Sequence, residues 1–423
     1  MSKLGNRVKN DSRSLKKYPL DTKEDPRKIF NFEYLTNVNT ISHIKYHGRV
    51  MFIIRGIFSS KKTKLSDLLQ ETYPGSSYCS GVRLLEKFDL KDDPSVLDSK
   101  ISKATIDECI KLVEEACRSS QPTIVVQNSH MRKIEMLVFL KLAIKYDYIV
   151  IVASTMHKFY ITPEAVARRS HLNTTYIYIR LNQWEDVPPL FTAWFISAND
   201  SEFMRGITFE KLKVLNKIKL FRSWFETDDV ASYFQPRANL CCLAGYSTDE
   251  DVMKNYYLSQ DVQKVYGKCF PIFILGFLIT KSDIIGVAQI STDAKSLVMD
   301  DLNKSSRIIT SETPSDILHY GRTTQFPEKA KLPPKSSGFW MKGKKLSAEI
   351  CRPIHIAQKG FDVFNMEKVI EQFKEGLQLM SDSDGSLNKR YFESKIYKLN
   401  DDLWFTNVME MICFSTIFTG FYV

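Results

Sequence analysis

From Arg49 onward the chain alternates short, wholly apolar runs with longer amphipathic segments. Val50 to Ile54, Thr123 to Val126 and Tyr148 to Ala153 are rich in Val and Ile and are bounded by polar or turn residues. Unbroken apolar runs of this length suit strands buried on both faces, as in a parallel sheet. Between them, Ala104 to Cys117 and Arg132 to Tyr146 space their apolar residues three and four apart, the pattern of helices that cover such a sheet. This alternation predicts a doubly wound α/β domain. Pro188 and Pro189 then precede Leu190, Phe191, Trp194, Phe195 and Ile196, a spacing that predicts a short helix closing the domain. Phe209, Leu212, Leu215, Ile218, Phe221 and Phe225 recur at helical spacing through a lysine-rich stretch, which predicts a connecting helix, docked on one face and wet on the other.

After Asp228 the pattern turns strand-rich. Leu240 to Leu243, Phe270 to Thr280, Ile284 to Ser291, Ile354 to Ile356, Lys395 to Leu399, Trp404 to Val408 and Ile412 to Phe418 read as strands. Asp251 to Tyr266 and Met366 to Leu379 read as helices, and the prolines, glycines and serines between Asp300 and Lys345 mark a long loop. Segregated strands and helices predict an α+β domain built largely of antiparallel sheet. The expected organisation is a basic, disordered arm over residues 1–45, a parallel-sheet domain over 46–200, a connecting helix over 201–227 and the α+β domain over 228–423. Two domains also follow from the 423-residue length, since one domain holds about 100 to 200 residues.

The composition, 43% hydrophobic and 12% aromatic, supports large cores and excludes disorder for most of the chain. The longest nearly unbroken apolar run, Phe270 to Thr280, is shorter than the roughly 18 residues a membrane helix needs, so no membrane span is expected. Met1 to Leu20 offers charge where a secretory signal has an apolar core, and a cytoplasmic location is expected. Eight cysteines without CxxC pairs fit free thiols in a reducing compartment. The net charge of +10 is concentrated: residues 1–30 carry nine Lys/Arg against four Asp/Glu, and Arg322 to Lys345 carries seven against one. Concentrated positive segments attract phosphate polymers and give peripheral contact with anionic membranes, or else simply keep the chain solvated.

Candidate chemistry begins at Gly56-Ile57-Phe58-Ser59-Ser60-Lys61-Lys62-Thr63, between a strand and a helix. A phosphate-cradling loop needs a glycine turn, a second glycine so that backbone amides wrap the phosphate, then Lys and Ser/Thr for phosphate and magnesium. Gly56, Lys62 and Thr63 stand at the phosphate-binding positions, and Lys61 replaces the second glycine. A side chain there obstructs the wrap or demands an unfavourable backbone angle. The strand Thr123 to Val126 ends in Gln127, Asn128, Ser129 and His130, without the carboxylate that holds magnesium. A plain strand-to-helix turn with surface lysines is the simpler account of the residues alone, and His130 reads as a polar residue at a helix start. His355 projects opposite Ile354 and Ile356 from a short strand, either as a site residue or as an exposed histidine, and Cys241 and Cys242 read as small buried hydrophobes. No histidines sit at metal-ligand spacing, and neither a metal nor a cofactor is expected.

In order, these segments resemble the 2′,3′-cyclic nucleotide 3′-phosphodiesterase family, which joins a polynucleotide-kinase-like P-loop domain to a two-histidine phosphoesterase domain. The resemblance runs from about Arg49 to Val423. It is carried by the loop Gly56 to Thr63, the strand before Gln127, and Lys145-Tyr146-Asp147-Tyr148 at a helix end. Pro189-Leu190-Phe191-Thr192-Ala193-Trp194-Phe195-Ile196 is similar to the family's Leu-Tyr-Phe-Gly-Trp-Phe stretch. Val230-Ala231-Ser232-Tyr233-Phe234, Gln260-Asp261-Val262 leading to Tyr266-Gly267-Lys268, Lys395-Ile396-Tyr397-Lys398-Leu399 and Ile417-Phe418-Thr419-Gly420-Phe421-Tyr422 follow in the family's order.

The resemblance implies an α/β P-loop-like parallel-sheet domain followed by an α+β two-histidine phosphoesterase-like domain. In the family each of two lobes supplies a His-x-Thr strand. One histidine activates water, the other protonates the departing 2′-oxygen, the threonines hold the phosphate, and no metal takes part. Here the first motif falls on Cys241-Cys242-Leu243 and the second on His355-Ile356-Ala357, so His355 is the only catalytic-position histidine retained and Cys241 stands where the other is lost. A thiol with an unperturbed pKa of about 8.5 suits neither role as well as imidazole. Each missing catalytic group commonly costs about 10² to 10⁴ in rate. In parallel, Gln127 and Asn128 replace the acidic position after the strand, and Gly81 stands at the substrate-side acidic position near Ser80. The expected protein is a catalytically impaired or inactive relative that binds RNA or nucleotide phosphates. An enzyme with residual activity through His355 and a scaffold for protein partners are the alternatives. The chain ends Gly420-Phe421-Tyr422-Val423 without Cys-a-a-X, so the prenyl anchor of vertebrate relatives is not assumed.

Overall fold

Val50–Arg55 (β2) is buried at every position because helices cover both of its faces. In the computed structural model, which describes residues 17–47, 49–57, 59–81, 100–170, 173–225, 240–247, 249–279, 283–299, 315–321, 396–400 and 403–422, β2 lies at the centre of a parallel sheet. Its neighbours are Thr123–Gln127 (β4) on one side and Ile149–Ser154 (β5) on the other, with Ser77–Ser80 (β3) at the edge beyond β4. Side chains alternate across a strand. Val50, Phe52 and Ile54 accordingly join one core cluster, and Met51 and Ile53 join a second. Helix α4 (Lys62–Thr72) buries Leu65 and Leu69 in the first cluster. Helices α5 (Lys100–Arg118) and α6 (Lys133–Lys145) bury Cys109, Val113, Met136 and Phe139 in the second.

The second sheet is antiparallel. Its order is β12 (Ile396–Asn400), β13 (Leu403–Phe421), β7 (Phe191–Ile196), β8 (Cys241–Tyr246), β11 (Ser315–Gly321), β10 (Asp283–Ile290) and β9 (Cys269–Ile279). Strand β9 also pairs with β13, which closes β13-β7-β8-β11-β10-β9 into a ring and leaves β12 beside the first residues of β13. The Thr419 hydroxyl donates to the Val150 carbonyl of the parallel sheet at 2.7 Å, so that face of β13 is the outside of the ring. Trp194, Phe418 and Phe270 share the opposite face, with ring centroids 5.6 to 6.5 Å apart, and form its interior. The chain thus has mixed α/β content with a four-stranded parallel sheet, and among the described residues no helix is long and apolar enough to cross a membrane.

Several expectations are corrected. The helix expected at Leu190 to Ile196 is strand β7: its apolar residues are buried on both faces, and their helix-like spacing is incidental. This strand, within the span given to the first domain, belongs to the second sheet. The arm expected over residues 1–45 is folded from residue 17. Leu20, Ile29, Phe30, Tyr34 and Ile44 are buried, Tyr18–Pro19 (β1) pairs with Phe159–Tyr160 (β6), and Tyr73 donates to the Tyr34 carbonyl at 2.5 Å. Trp404 to Phe418 is one strand with an irregular register between Asn407 and Ile412, rather than two. The helix expected over Asp251 to Tyr266 divides into Glu250–Tyr257 and Gln260–Val265, because Ser259 caps the second through its hydroxyl. The connecting segment is helical, as Ala198–Leu215 and Lys219–Phe225. The strand at Ile354 to Ile356 and the helix at Met366 to Leu379 lie outside the described residues.

Candidate phosphate site

β2 delivers the chain into the loop at the end of the sheet, and α4 begins at Lys62. Gly56 has φ +156°, and a Cβ there would strike the Thr155 hydroxyl and lie 2.7 Å from the Ser60 hydroxyl, so only glycine fits. Ser59 and Lys61 both take left-handed backbone, each at φ 60°. These are the fourth and sixth positions of the loop, and a left-handed non-glycine residue costs roughly 1–2 kcal/mol. Of the two outcomes expected at Lys61, the structure shows the unfavourable backbone angle rather than the obstruction. The residue adopts the left-handed angle that a glycine would take, and its side chain leaves the loop to donate to the Thr22 carbonyl at 2.8 Å.

Inside the loop the polar groups bind one another. Ser60 Oγ donates to the Ile57 carbonyl at 2.7 Å and lies 2.7 Å from Thr155 Oγ1, while the Gly56 amide donates to the Ser129 carbonyl at 2.9 Å. Lys62 is 7% exposed and donates through Nζ to the Ile57 carbonyl at 2.7 Å. Burial, and secondarily the Arg180 guanidinium, push the Lys62 ammonium down to about 7. Lys61 is lowered by burial and by Arg169. At both loop lysines an arginine's charge thus adds to the effect of burial.

Thr63 marks where magnesium chemistry stops. Its Oγ1 accepts from Gln127 Nε2 at 3.3 Å. Gln127 Oε1 in turn accepts from Ser66 Oγ at 2.9 Å and from the Tyr78 hydroxyl. The amide occupies the place of the metal-holding carboxylate and spends its donor on the hydroxyl that would ligate the ion. Magnesium does not fit this donor set, and among the described residues no three His, Cys, Asp or Glu side chains could hold a metal ion. Asn128 Oδ1 accepts from the Gly81 amide at 3.0 Å, closing the site on that side.

Comparison with protein-family models and with curated proteins finds no match to this chain.

Arg55, at the end of β2, is buried in a cage of carbonyls. Its Nε donates to His130 at 3.0 Å, its Nη2 to Met131 at 3.1 Å and Glu185 at 2.9 Å, and its guanidinium lies 4.1 Å from the Trp184 ring centre. His130 stands just ahead of α6, buried and neutral; burial first, then Arg55, lowers it to about 3. Cys241 is buried in β8 opposite Phe195, and Cys242 lies opposite Trp194. His355 and Ala357 lie outside the described residues, so Gly56, Lys62 and Thr63 are the sequence-predicted site residues found together. Arg180 was missed by sequence reasoning. It belongs to no motif, and only the tertiary fold lets its charge act on Lys62.

Proposed function

We propose that the chain is a divergent, catalytically inactive member of the 2′,3′-cyclic nucleotide 3′-phosphodiesterase family. In this reading a P-loop-like domain and a two-histidine phosphoesterase-like domain are kept, and the former binds the phosphates of RNA or nucleotides without a metal. The observation that carries the reading is the pair of left-handed residues Ser59 and Lys61. The loop holds the turns of a phosphate cradle without the glycines that make them cheap, and such strain persists where the surroundings over-determine it, commonly at binding sites. Lys62, buried at its base and lowered to about 7, is only partly charged near neutrality, and an anion held beside it would favour the charged form. The Gln127 to Thr63 hydrogen bond supports loss of phosphoryl transfer. Cys241 in place of one imidazole supports loss of the cyclic phosphodiester reaction, because proton removal and delivery at phosphorus need two groups.

The test is a pair of assays on the full chain. The reading predicts no hydrolysis of 2′,3′-cyclic nucleotide above background, together with RNA binding that weakens steeply with salt and is reduced at least tenfold in Lys62→Ala. Hydrolysis that disappears in His355→Ala would make the protein an enzyme. Absence of both activities, with a protein partner bound in fixed proportion, would make it a scaffold.

A further inference from the structure

The helix Ala198–Leu215 starts where the Ser197 hydroxyl accepts from the Asp200 amide at 3.1 Å, and it buries Ser201, Met204, Thr208, Leu212 and Leu215. These residues recur three and four apart and so fix one face inward. The opposite face carries Glu202, Phe203, Gly206, Phe209, Glu210 and Lys213, all exposed. Phe203 is 57% and Phe209 43% exposed, an unfavourable placement in water for two large apolar rings on one face. At about 100° per residue, Gly206 stands at the centre of this face, with Phe203 about 60° to one side and Phe209 about 60° to the other. Glycine is a poor helix former, and a Cβ at Gly206 would meet nothing within 4 Å, so the chain's own packing does not require it. The result is a notch between two exposed rings.

We propose that this face is a self-association surface, on which a second copy of the chain docks with its own Ala198–Leu215 helix running antiparallel. A two-fold contact needs one patch that complements itself. A two-fold axis midway between Gly206 and Phe209 sets Phe209 of each copy into the notch at Gly206 of the other. The same axis sets Glu202 of each copy opposite Lys213 of the other, because the two residue pairs share a midpoint along the helix. Glu202, Phe209 and Lys213 also lie on one side of Gly206 around the helix, within about 60° of it, so both contacts form in a single arrangement. The missing side chain at Gly206 lets the two backbones approach closely. Within one copy Lys213 donates to Glu210 at 2.8 Å, with its Nζ 4.4 Å from the Phe209 ring centre, but both partners of that ion pair are at least half exposed. Such a surface pair contributes little, which leaves Lys213 available to Glu202 of the second copy. One helix from each copy makes a contact at the small end of interface sizes, so monomer and dimer exchange with concentration.

Sedimentation velocity of the full chain over a wide range of concentration is expected to show a reversible shift from monomer to dimer. Gly206→Leu fills the notch and is expected to weaken the dimer about tenfold or more. Leucine forms helix better than glycine and has open space at this position, so the thermal midpoint of the monomer is expected not to fall. Glu202→Lys and Lys213→Glu each set like charges opposite one another and are each expected to weaken self-association about tenfold or more. An equimolar mixture of these two variants is expected to recover the dimer, because every facing pair then joins a lysine to a glutamate. A chain that stays monomeric throughout, a dimer indifferent to Gly206→Leu, or a mixture no more associated than either variant alone overturns the proposal. So does a monomer that binds phosphatidylserine vesicles through Phe203 and Phe209, which would make this face a membrane surface.

Discussion

Replacing Lys62 by methionine removes a charge that the fold holds at high cost. Moving a lysine from 10.5 to about 7 disfavours its charged form by about 5 kcal/mol. The unfolded chain keeps the Lys62 proton to about pH 10.5, whereas the folded chain releases it near pH 7. Between those values unfolding takes up a proton, so the wild-type chain gains stability as pH rises, and below pH 7 the full cost of the buried cation is present. Methionine fills similar space without titrating. Lys62→Met is therefore expected to be more stable than wild type at pH 6, with an advantage that shrinks by about 2–3 kcal/mol between pH 7 and 9. Lys158, which burial lowers to about 8, titrates in both chains and cancels. Loss of the donor to the Ile57 carbonyl shifts the curves vertically without changing how they converge. Urea unfolding at pH 6, 7, 8 and 9 measures the difference. Parallel curves would mean that the lysine is charged and solvated in the folded protein, contrary to this expectation.

Other substitutions probe the same site. Gln127→Glu restores a carboxylate beside Thr63, and nucleotide binding by calorimetry is expected to become at least tenfold tighter with magnesium than with EDTA. Ser59→Gly relieves one left-handed residue and is expected to raise the unfolding free energy by up to about 1 kcal/mol in urea, net of the entropy glycine adds to the unfolded chain. Arg55→Met leaves the carbonyls of His130, Met131 and Glu185 without their donor and is expected to destabilise by about 3 kcal/mol or more, seen as a lower thermal midpoint.

The parallel sheet was legible because β2, β4 and β5 are buried on both faces and so appear as unbroken apolar runs. The same property hid β7: with every residue from Phe191 to Ile196 buried, no alternation distinguishes strand from helix, and the spacing of Leu190, Phe191, Trp194 and Phe195 mimics a helix face. The folded part of the N-terminal segment was masked by charge, since Leu20, Ile29, Phe30 and Tyr34 are too dispersed among polar residues to form a periodic pattern. At the site, Gly56, Lys62 and Thr63 could be read from spacing. The left-handed angle at Lys61 and the diversion of its side chain to Thr22 depend on a segment distant in sequence. The closure of the ring through β9 and β13 is likewise a long-range pairing that local pattern does not encode.

In the proposed function this loop holds phosphate without a metal. Calorimetric titration of the full chain with a nucleoside diphosphate, in excess magnesium and again in EDTA, tests it most directly. Equal affinity in both, lost in Lys62→Ala, is the predicted result. Affinity that rises tenfold or more with magnesium would contradict the account.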